Sequence, residues 1–106
     1  GVASEVLYTM IRAGSGNSFM LDSRVPNFIL AGTFTQPGFA VDLLRKDLGL
    51  SLESAKINKV PLYMTSQAYQ VFTRASAEGL GKKDMASVIE LMEKTAGVQV
   101  RGKVEK

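Results

Sequence analysis

Apolar residues recur at three- and four-residue intervals in four segments of the chain. That spacing places them on one face of a helix. Glycine or proline residues separate the segments, so each segment is predicted to form a separate helix. The pattern therefore predicts an all-α fold, a compact helical domain of about four helices. The predicted helices span residues 4–13, 39–59, 61–78 and about 84–96.

Four residues mark the ends of these predicted helices. Ser4 is a candidate N-cap for the first helix, because its hydroxyl oxygen can accept a hydrogen bond from a free backbone N–H. Gly14 suits the left-handed conformation that often follows a helix, and Gly97 is expected to close the last helix. Pro61 suits the first helical position, where a missing N–H group leaves no hydrogen bond unmade.

Residues 17–37 lack a clear helical or alternating pattern, and we expect an irregular connection there. Residues 19–21 are compatible with a brief helical turn, which Pro26 is expected to interrupt because proline lacks a backbone N–H. Residues 27–34 are a candidate for a short strand. A connection this long in a small domain is usually functional or packed against another part of the molecule. Residues 97–106 are predicted to form a tail, either a short strand or a frayed end.

The segment 39–59 carries two apolar stripes. At about 100° per residue, one stripe spans about 80° of the helix and the other lies nearly opposite. A surface helix has one apolar stripe, so two stripes indicate a central helix buried between neighbours. Gly49 within this helix lowers its stability by about 1 kcal/mol relative to alanine. Such a glycine is easier to explain if another backbone or a ligand approaches the helix closely at that point. The first stripe contains Val41, Leu44, Leu48, Leu52 and Ala55, and the second contains Phe39, Leu43, Leu50 and Ile57.

The composition excludes several kinds of chemistry. The 106 residues include no cysteine and no histidine, which excludes disulfides, thiolate or imidazole metal sites and histidine bases. We therefore expect no metal site. No apolar run approaches about 18 residues, which argues against a membrane span. The N-terminus lacks the order of charged and apolar residues found in a signal peptide, so we expect a cytoplasmic protein.

The net charge of +3, from 13 basic and 10 acidic residues, is a small excess. Nucleic-acid-binding domains usually concentrate lysine and arginine on one face. Lys82 and Lys83 are an isolated pair without interleaved aromatic residues. We therefore expect no nucleic-acid partner and interpret the charges as a solvated surface.

Lys46 and Asp47 are the candidate functional pair of the central helix. They flank the second apolar stripe, and a charge beside a buried stripe must be paired or bound to a ligand. A structural interpretation stays open, because Asp42 and Lys46 have the spacing of a stabilising pair worth about 0.3–0.5 kcal/mol. The lysine stem can also lie along Leu43 and Leu50 with its ammonium in water.

The segment 14–18, GSGNS, is rich in glycine and hydroxyl groups. A dinucleotide-binding loop follows a strand and opens a helix, whereas this segment follows a predicted helix. The chain contains no GxGxxG sequence and no P-loop sequence. We therefore interpret the segment as a helix stop rather than a phosphate-binding loop.

Several short motifs match one enzyme family in order and spacing. They are AGSGNS at 13–18, PGFA at 37–40, KDLGL at 46–50, Val60-Pro61, and GLG at 79–81 shortly before Asp84. With these motifs the chain resembles, over about residues 1–89, the C-terminal helical domain of the β-hydroxyacid dehydrogenases. That group includes 3-hydroxyisobutyrate dehydrogenase and the tartronate semialdehyde and glyoxylate/succinic semialdehyde reductases, and it is distantly related to 6-phosphogluconate dehydrogenase. PGFA and KDLGL at this spacing are specific, whereas SGNS alone is not.

The resemblance implies an oxidoreductase that transfers a hydride between NAD or NADP and a small β-hydroxyacid or its semialdehyde. Residues 1–96 would form part of the helical domain, truncated at its N-terminus, followed by the tail. The cofactor would lie on the Rossmann domain of the parent protein, which is absent from this chain, so no cofactor is expected to bind to this chain alone.

The resemblance also implies roles for five residues. Lys46 would contact the cofactor near the nicotinamide. Phe39 and Asp47 would shape and polarise the substrate pocket. Ser15 and Gly16 would approach the same cleft.

The resemblance further implies what this chain lacks. The family requires a GxGxMG fingerprint and a catalytic lysine that acts as the general acid, both upstream of the matched segment. Lys46, Lys56 and Lys59 do not have the context of that lysine, so we expect no catalytic residue and no activity in this chain alone. The family's preceding long helix packs on the helix at 39–59, and its absence is expected to expose one apolar stripe and favour a homo-oligomer. The alternative is a helical self-association module without catalytic chemistry.

Overall fold

The computed structural model describes residues 1–103 and confirms the all-α class. These residues form five α-helices. Four of them correspond to the predicted segments. The remaining one, α2, lies in the connection predicted to be irregular and contains residues 19–21, where a brief helical turn was expected. The helices are α1 Ser4–Ala13, α2 Phe19–Arg24, α3 Val41–Asn58, α4 Tyr63–Ala75 and α5 Ile89–Ala96.

The connection between α1 and α3 contains a helix rather than a strand. Ser18 caps α2, because its hydroxyl oxygen accepts a 2.9 Å hydrogen bond from the Leu21 N–H. Pro26 does not end the helical path. It lies in the first positions of a wider π-helical turn, Val25–Leu30, where its missing N–H is tolerated. The predicted strand at 27–34 is therefore wrong.

The helix ends differ from the prediction in local detail. The N-cap of α1 is Ala3, without a side-chain capping bond, and Ser4 is the first helical residue. Gly14 is extended rather than left-handed, and its N–H bonds to the Ile11 carbonyl in the last turn. Gly97 closes α5 as predicted, and it is left-handed, with φ of 71°.

α3 is one continuous helix through Gly49, but it is covered on one face only. The residues of the first stripe are buried or half-buried, with Val41 fully buried, and α3 packs on α4. The second stripe is open to solvent, since Leu50 is 57% exposed and Ile57 is 80% exposed. The expectation of a helix buried on both sides is therefore wrong for the described residues, whereas the expected exposure of one apolar stripe is confirmed.

The ring of Tyr69 on α4 explains the glycine at position 49. A Cβ on Gly49 would lie 3.3 Å from Tyr69 Cε2, tighter than ordinary van der Waals contact. Arg45 lies over the same ring, with its guanidinium carbon 5.2 Å from the centroid. The predicted close approach is confirmed, but the neighbour is an aromatic side chain rather than a backbone or a ligand.

The buried core lies where the start of α3 meets the end of α4 and the start of α5. α4 begins two residues after Pro61 and passes into a π-helical turn, Ser76–Leu80. A short 3-10 segment, Met85–Val88, then leads into α5. The core consists of Val41, Ala75, Leu80 and Leu91, with Phe72 and Val88 packed against it.

Residues 97–103 are docked on the domain, so the prediction of a strand or a frayed end is wrong for this segment. Glu93 of α5 is buried. One of its carboxylate oxygens accepts hydrogen bonds from the Val100 N–H at 2.6 Å and from Arg101 Nη1 at 2.9 Å. The rest of the predicted tail, 104–106, lies outside the described residues.

Candidate functional site

A fully buried carboxylate, Asp84, holds the loop that leads into α3. Its Oδ1 accepts hydrogen bonds from the Gly38 N–H at 2.9 Å and the Phe39 N–H at 3.1 Å. Its Oδ2 accepts the Ala86 N–H at 2.9 Å and lies 3.5 Å from Nε of Arg24. The loop is thus fixed to the segment before α5, and we refer to these five residues as the Asp84 cluster.

Backbone hydrogen bonds attach the same loop to the same segment. The Phe39 carbonyl accepts the Met85 N–H at 2.7 Å, and the Lys83 carbonyl accepts the Val41 N–H at 2.9 Å. The second bond gives a partner to a free N–H at the start of α3. Phe39 and the start of α3 therefore form one unit with the Asp84 cluster.

Only part of this cluster has a signal in the sequence. Asp84 lies at the predicted start of the last helix, and in the structure it is an N-cap whose side chain accepts the Ala86 N–H. That signal indicates one of its partners. No local pattern pairs Asp84 with Arg24 or with the loop, because these groups meet only when the helices pack.

Lys46 and Asp47 are brought together, but both are exposed. Nζ of Lys46 lies 3.4 Å from Oδ1 of Asp47, and their side chains are 61% and 50% exposed. The expectation that these charges are withdrawn from water is therefore wrong for the described residues. Asp42 accepts a 2.6 Å hydrogen bond from the Ser76 hydroxyl, so the structure does not support the alternative pairing of Asp42 with Lys46. The pair at 46 and 47 is accessible to a ligand or to another polypeptide.

Phe39 precedes α3 instead of belonging to it. The helix begins at Val41 after an extended Ala40, so the helical projection that placed Phe39 in the second apolar stripe, beside Lys46, does not apply. Phe39 is half-buried, and its backbone bonds lead to Asp84. The structure fixes the position of Phe39 through these bonds.

Ser15 and Gly16 lie in the exposed turn between α1 and α2. A Cβ on Gly16 would lie 3.0 Å from the Ile11 side chain, so the turn packs back on the end of α1. This contact joins the turn to α1 and does not bring it to Lys46.

Tyr8 is a buried phenol bonded to a carboxylate. Its hydroxyl donates a 2.8 Å hydrogen bond to Asp22, and the same carboxylate oxygen pairs with Arg12 at 3.2 Å. Burial, and after it the hydrogen bond to Asp22, raise the pKa of Tyr8 above its ordinary value near 10. The fold therefore stabilises the neutral phenol.

Tyr8→Phe is expected to remove a stability contribution that is lost at alkaline pH. Because the pKa of Tyr8 is raised, this contribution is fully present below the ordinary pKa and is lost as the pH rises through the pKa of the folded state. Urea unfolding of both proteins across alkaline pH measures it. The difference in unfolding free energy is expected to be constant below about pH 10 and to shrink above it. A difference that stays constant throughout would contradict this assignment.

An apolar cavity of about 560 Å³ lies between α1, the π-helical turn after α2 and the docked tail. Its lining includes Leu7, Ile11, Ile29 and Val100. The five residues predicted for the site do not line this cavity, so its apolar walls are separate from the charged pair on α3.

Metal-binding clusters and membrane-spanning helices are absent from the part of the chain that the structure describes. Across residues 1–103, no three aspartate or glutamate side chains are placed to hold a metal ion. The helices of that range are all too short or too polar to cross a membrane.

The match to a known family covers most of the chain. The family described as "NAD-binding of NADP-dependent 3-hydroxyisobutyrate dehydrogenase" matches residues 1–92. The chain belongs to this family. The match confirms the resemblance to the β-hydroxyacid dehydrogenases, and it includes the five predicted site residues and the Asp84 cluster.

Two dehydrogenases are similar to this family member over nearly its whole length. The chain is 43% identical over 102 residues to 2-(hydroxymethyl)glutarate dehydrogenase of Eubacterium barkeri, covering 96% of the chain and 34% of that protein. It is 41% identical over 105 residues to L-threonate dehydrogenase of Cupriavidus necator, covering 99% of the chain and 34% of that protein. The chain therefore spans about a third of the length of these relatives.

Solved structures of family members share the helical fold. The structure of 3-hydroxyisobutyrate dehydrogenase from Salmonella typhimurium matches with a TM-score of 0.80 and 37% identity, over 86% of this chain and 31% of that one. The Mycobacterium tuberculosis 3-hydroxyisobutyrate dehydrogenase matches with a TM-score of 0.72 and 21% identity, over 85% of this chain and 32% of that one. At that identity the second match supports the fold alone.

Proposed function

We propose that this chain is the C-terminal helical domain of an NAD(P)-dependent oxidoreductase that acts on a small β-hydroxyacid or semialdehyde. The domain closes over cofactor and substrate held by the Rossmann domain of the parent protein, and it is inactive alone. The observation that carries the proposal is the match of residues 1–92 to an NAD-binding family. The exposed pair of Lys46 and Asp47 beside the open stripe of α3 supports it.

Lys46 is the residue proposed to contact the cofactor. Leu43 and Leu50 are its neighbours at three- and four-residue spacing on α3, and they are 46% and 57% exposed, so Lys46 stands among exposed apolar side chains. An ammonium next to apolar surface suits NAD(P), because the nicotinamide ring can pack on apolar side chains while the ammonium pairs with the negative phosphates. NAD(P), when bound, supplies or accepts the hydride. Lys46 orients the cofactor and compensates its negative charge.

Phe39 and Asp47 are proposed to line the substrate pocket, with Ser15 and Gly16 at its rim. Phe39 offers an apolar wall whose backbone is fixed by hydrogen bonds. The half-exposed carboxylate of Asp47 can accept a hydrogen bond from a substrate hydroxyl. In this proposal the general acid is a lysine outside this chain.

An assay of the complete product of the gene that encodes this chain tests the proposed function. With NAD and NADP supplied separately, we expect oxidation of at least one small β-hydroxyacid, measured by the absorbance of the reduced cofactor. The 106-residue chain alone is expected to give no turnover. The proposal fails if the complete gene product turns over neither β-hydroxyacids nor their semialdehydes with either cofactor.

Asp47→Ala in the complete gene product is expected to raise KM for the β-hydroxyacid by about tenfold or more, because a hydrogen bond to a charged group is worth about 1.5–3 kcal/mol. Initial rates over a range of substrate concentrations measure the effect. Glu53→Ala removes an exposed carboxylate from the same helix and is the matched control. Identical kinetics for both variants would exclude Asp47 from the substrate pocket.

Self-association is a second candidate function, favoured by the apolar surface that the fold leaves exposed. Besides the open stripe of α3, the start of α4 exposes 77% of Tyr63 and 82% of Met64. Apolar patches larger than a few hundred Å² generally mark interaction sites. Light scattering of the 106-residue chain tests this candidate. A dimer or larger species at high concentration supports it, and a monomer counts against it.

A further inference from the structure

Both carboxylate oxygens of Asp84 act as acceptors. Oδ1 accepts the N–H groups of Gly38 and Phe39, and Oδ2 accepts the Ala86 N–H and faces Nε of Arg24. An ionised carboxylate accepts on both oxygens, whereas an asparagine side chain presents a donor in place of one of them. The chemistry of the cluster therefore requires aspartate and not merely a small polar residue.

Arg24 is the cation that compensates this buried carboxylate. A fully buried charge needs a charged or hydrogen-bonded partner. The Arg24 side chain is one-fifth exposed, and its guanidinium carbon lies 5.1 Å from the centroid of the Phe28 ring. Among the described residues its Nε has no hydrogen-bond partner and lies 3.5 Å from Oδ2 of Asp84. Arg24 is thus held in place by aromatic stacking and directed at the carboxylate.

Arg24 also lies against the loop itself. A Cβ on Gly38 would be 3.5 Å from Nη2 of Arg24 and 3.5 Å from Cζ of Phe28. These are ordinary van der Waals distances, so the guanidinium and the ring form the surface on which the loop rests. The loop is therefore bonded to Asp84 and packed on Arg24 and Phe28.

We infer that Asp84 and Arg24 are positioning residues for the substrate site and act through the loop that carries Phe39. The N–H and the carbonyl of Phe39 are both bonded to the segment that contains Asp84, so the cluster fixes the backbone from which its ring projects. The role assigned to Phe39 rests on the proposed function. The link between Asp84 and the loop does not.

A role limited to helix capping makes a different prediction. The hydrogen bond to the Ala86 N–H is a cap within one segment, whereas the bonds to Gly38 and Phe39 cross to another element. A pure cap would leave the loop unchanged when the carboxylate is neutralised. If Asp84 positions the loop, neutralising its carboxylate must weaken the hydrogen bonds of the loop N–H groups.

Asp84→Asn in the 106-residue chain tests the link to the loop by amide hydrogen exchange measured with NMR. The amide protons of Gly38 and Phe39 are expected to exchange about tenfold faster or more, because they lose a charge-assisted bond to the carboxylate. The Val60 amide, bonded to the Ala55 carbonyl at the far end of α3, is expected to stay unchanged. The control is Glu53→Gln, which neutralises an exposed carboxylate on α3. Unchanged exchange at Gly38 and Phe39 would overturn the inference.

Substitution of Arg24 in the complete gene product tests the link to the substrate and does not require a change at Asp84. Arg24→Met is expected to raise KM for the β-hydroxyacid about tenfold while KM for NAD(P) changes less than about twofold. Arg24→Lys keeps the charge and is expected to restore most of the loss. Arg74→Met, which removes an exposed arginine paired with Glu78, is the control.

The two arms separate the possible failures. If the loop amides respond to Asp84→Asn but Arg24→Met leaves both KM values unchanged, the positioning role is wrong and the proposed function stands. If Arg24→Met raises both KM values equally, the cluster supports the whole domain rather than the substrate site, which also overturns the inference. If the unmodified gene product has no activity, the proposed function is refuted and the substrate role with it, while the amide measurement still decides whether Asp84 holds the loop.

Discussion

Asp84→Ala is expected to lower the free energy of unfolding by about 3–5 kcal/mol. The change leaves the largely buried guanidinium of Arg24 without its anion and removes the acceptor of the Gly38, Phe39 and Ala86 N–H groups. A domain of this size is typically stable by about 5–15 kcal/mol, so the loss is a large fraction of the total. Urea unfolding followed by circular dichroism measures it.

Asp47→Ala is the matched control for this stability measurement. Asp47 is half exposed and pairs at the surface with Lys46, and such pairs contribute about 0–1 kcal/mol. Its unfolding midpoint is therefore expected to stay close to that of the unmodified chain. Similar losses for the two variants would mean that the contacts of Asp84 contribute no more than a surface ion pair, which contradicts the arrangement described above.

Lys46→Ala in the complete gene product is expected to raise KM for NAD(P) by about 10–100-fold. The expected size follows from the lost contact between an ammonium and a charged cofactor, worth about 1.5–3 kcal/mol. Stability is expected to change little, because the Lys46 side chain is 61% exposed. Initial rates at varied cofactor concentration, together with urea unfolding of the same samples, separate the two effects.

Lys56→Ala is the control for Lys46→Ala, since it removes another exposed lysine from α3. Lys46→Arg keeps a positive charge and is expected to retain part of the affinity for the cofactor. If Lys46→Ala lowers stability and leaves the kinetics unchanged until the protein melts, Lys46 has a structural role and does not contact the cofactor.

The long helices could be predicted from the sequence because their apolar residues keep one period over several turns. α1 spans the predicted residues, Ser4–Ala13, although its capping differs, and Gly97 ends α5 as expected. α2 could not be predicted in the same way. It has only six residues and depends on the Ser18 cap and on a π-helical turn that accommodates Pro26.

The burial of α3 was predicted less well than its helical structure. An apolar stripe indicates that its residues favour burial, but it does not indicate whether the covering element belongs to the same chain. Leu50 and Ile57 satisfy the pattern and yet are mostly exposed in the described structure. The same exposure leaves Lys46 accessible, whereas a helix buried on both sides would have covered it.

The residues of the candidate site were also predictable only in part. The motifs that contain Phe39, Lys46 and Asp47 pointed to a family, and the match of residues 1–92 confirms that family. The pairing of Asp84 with Arg24 depends on tertiary packing and left no trace in local spacing. The residues proposed to meet the ligand therefore lie in recognisable motifs, whereas the residues that hold Phe39 in place do not.

Acetylation of lysines in the complete gene product, with and without NAD(P), tests most directly whether the open face of α3 covers the cofactor. Mass spectrometry follows the labelling of Lys46, and Lys56 serves as an internal reference on the same helix. If the proposal is right, saturating cofactor slows modification of Lys46 severalfold and leaves Lys56 unaffected. Equal labelling of Lys46 in the presence and absence of a cofactor that demonstrably binds would place the nicotinamide site elsewhere and contradict the proposal.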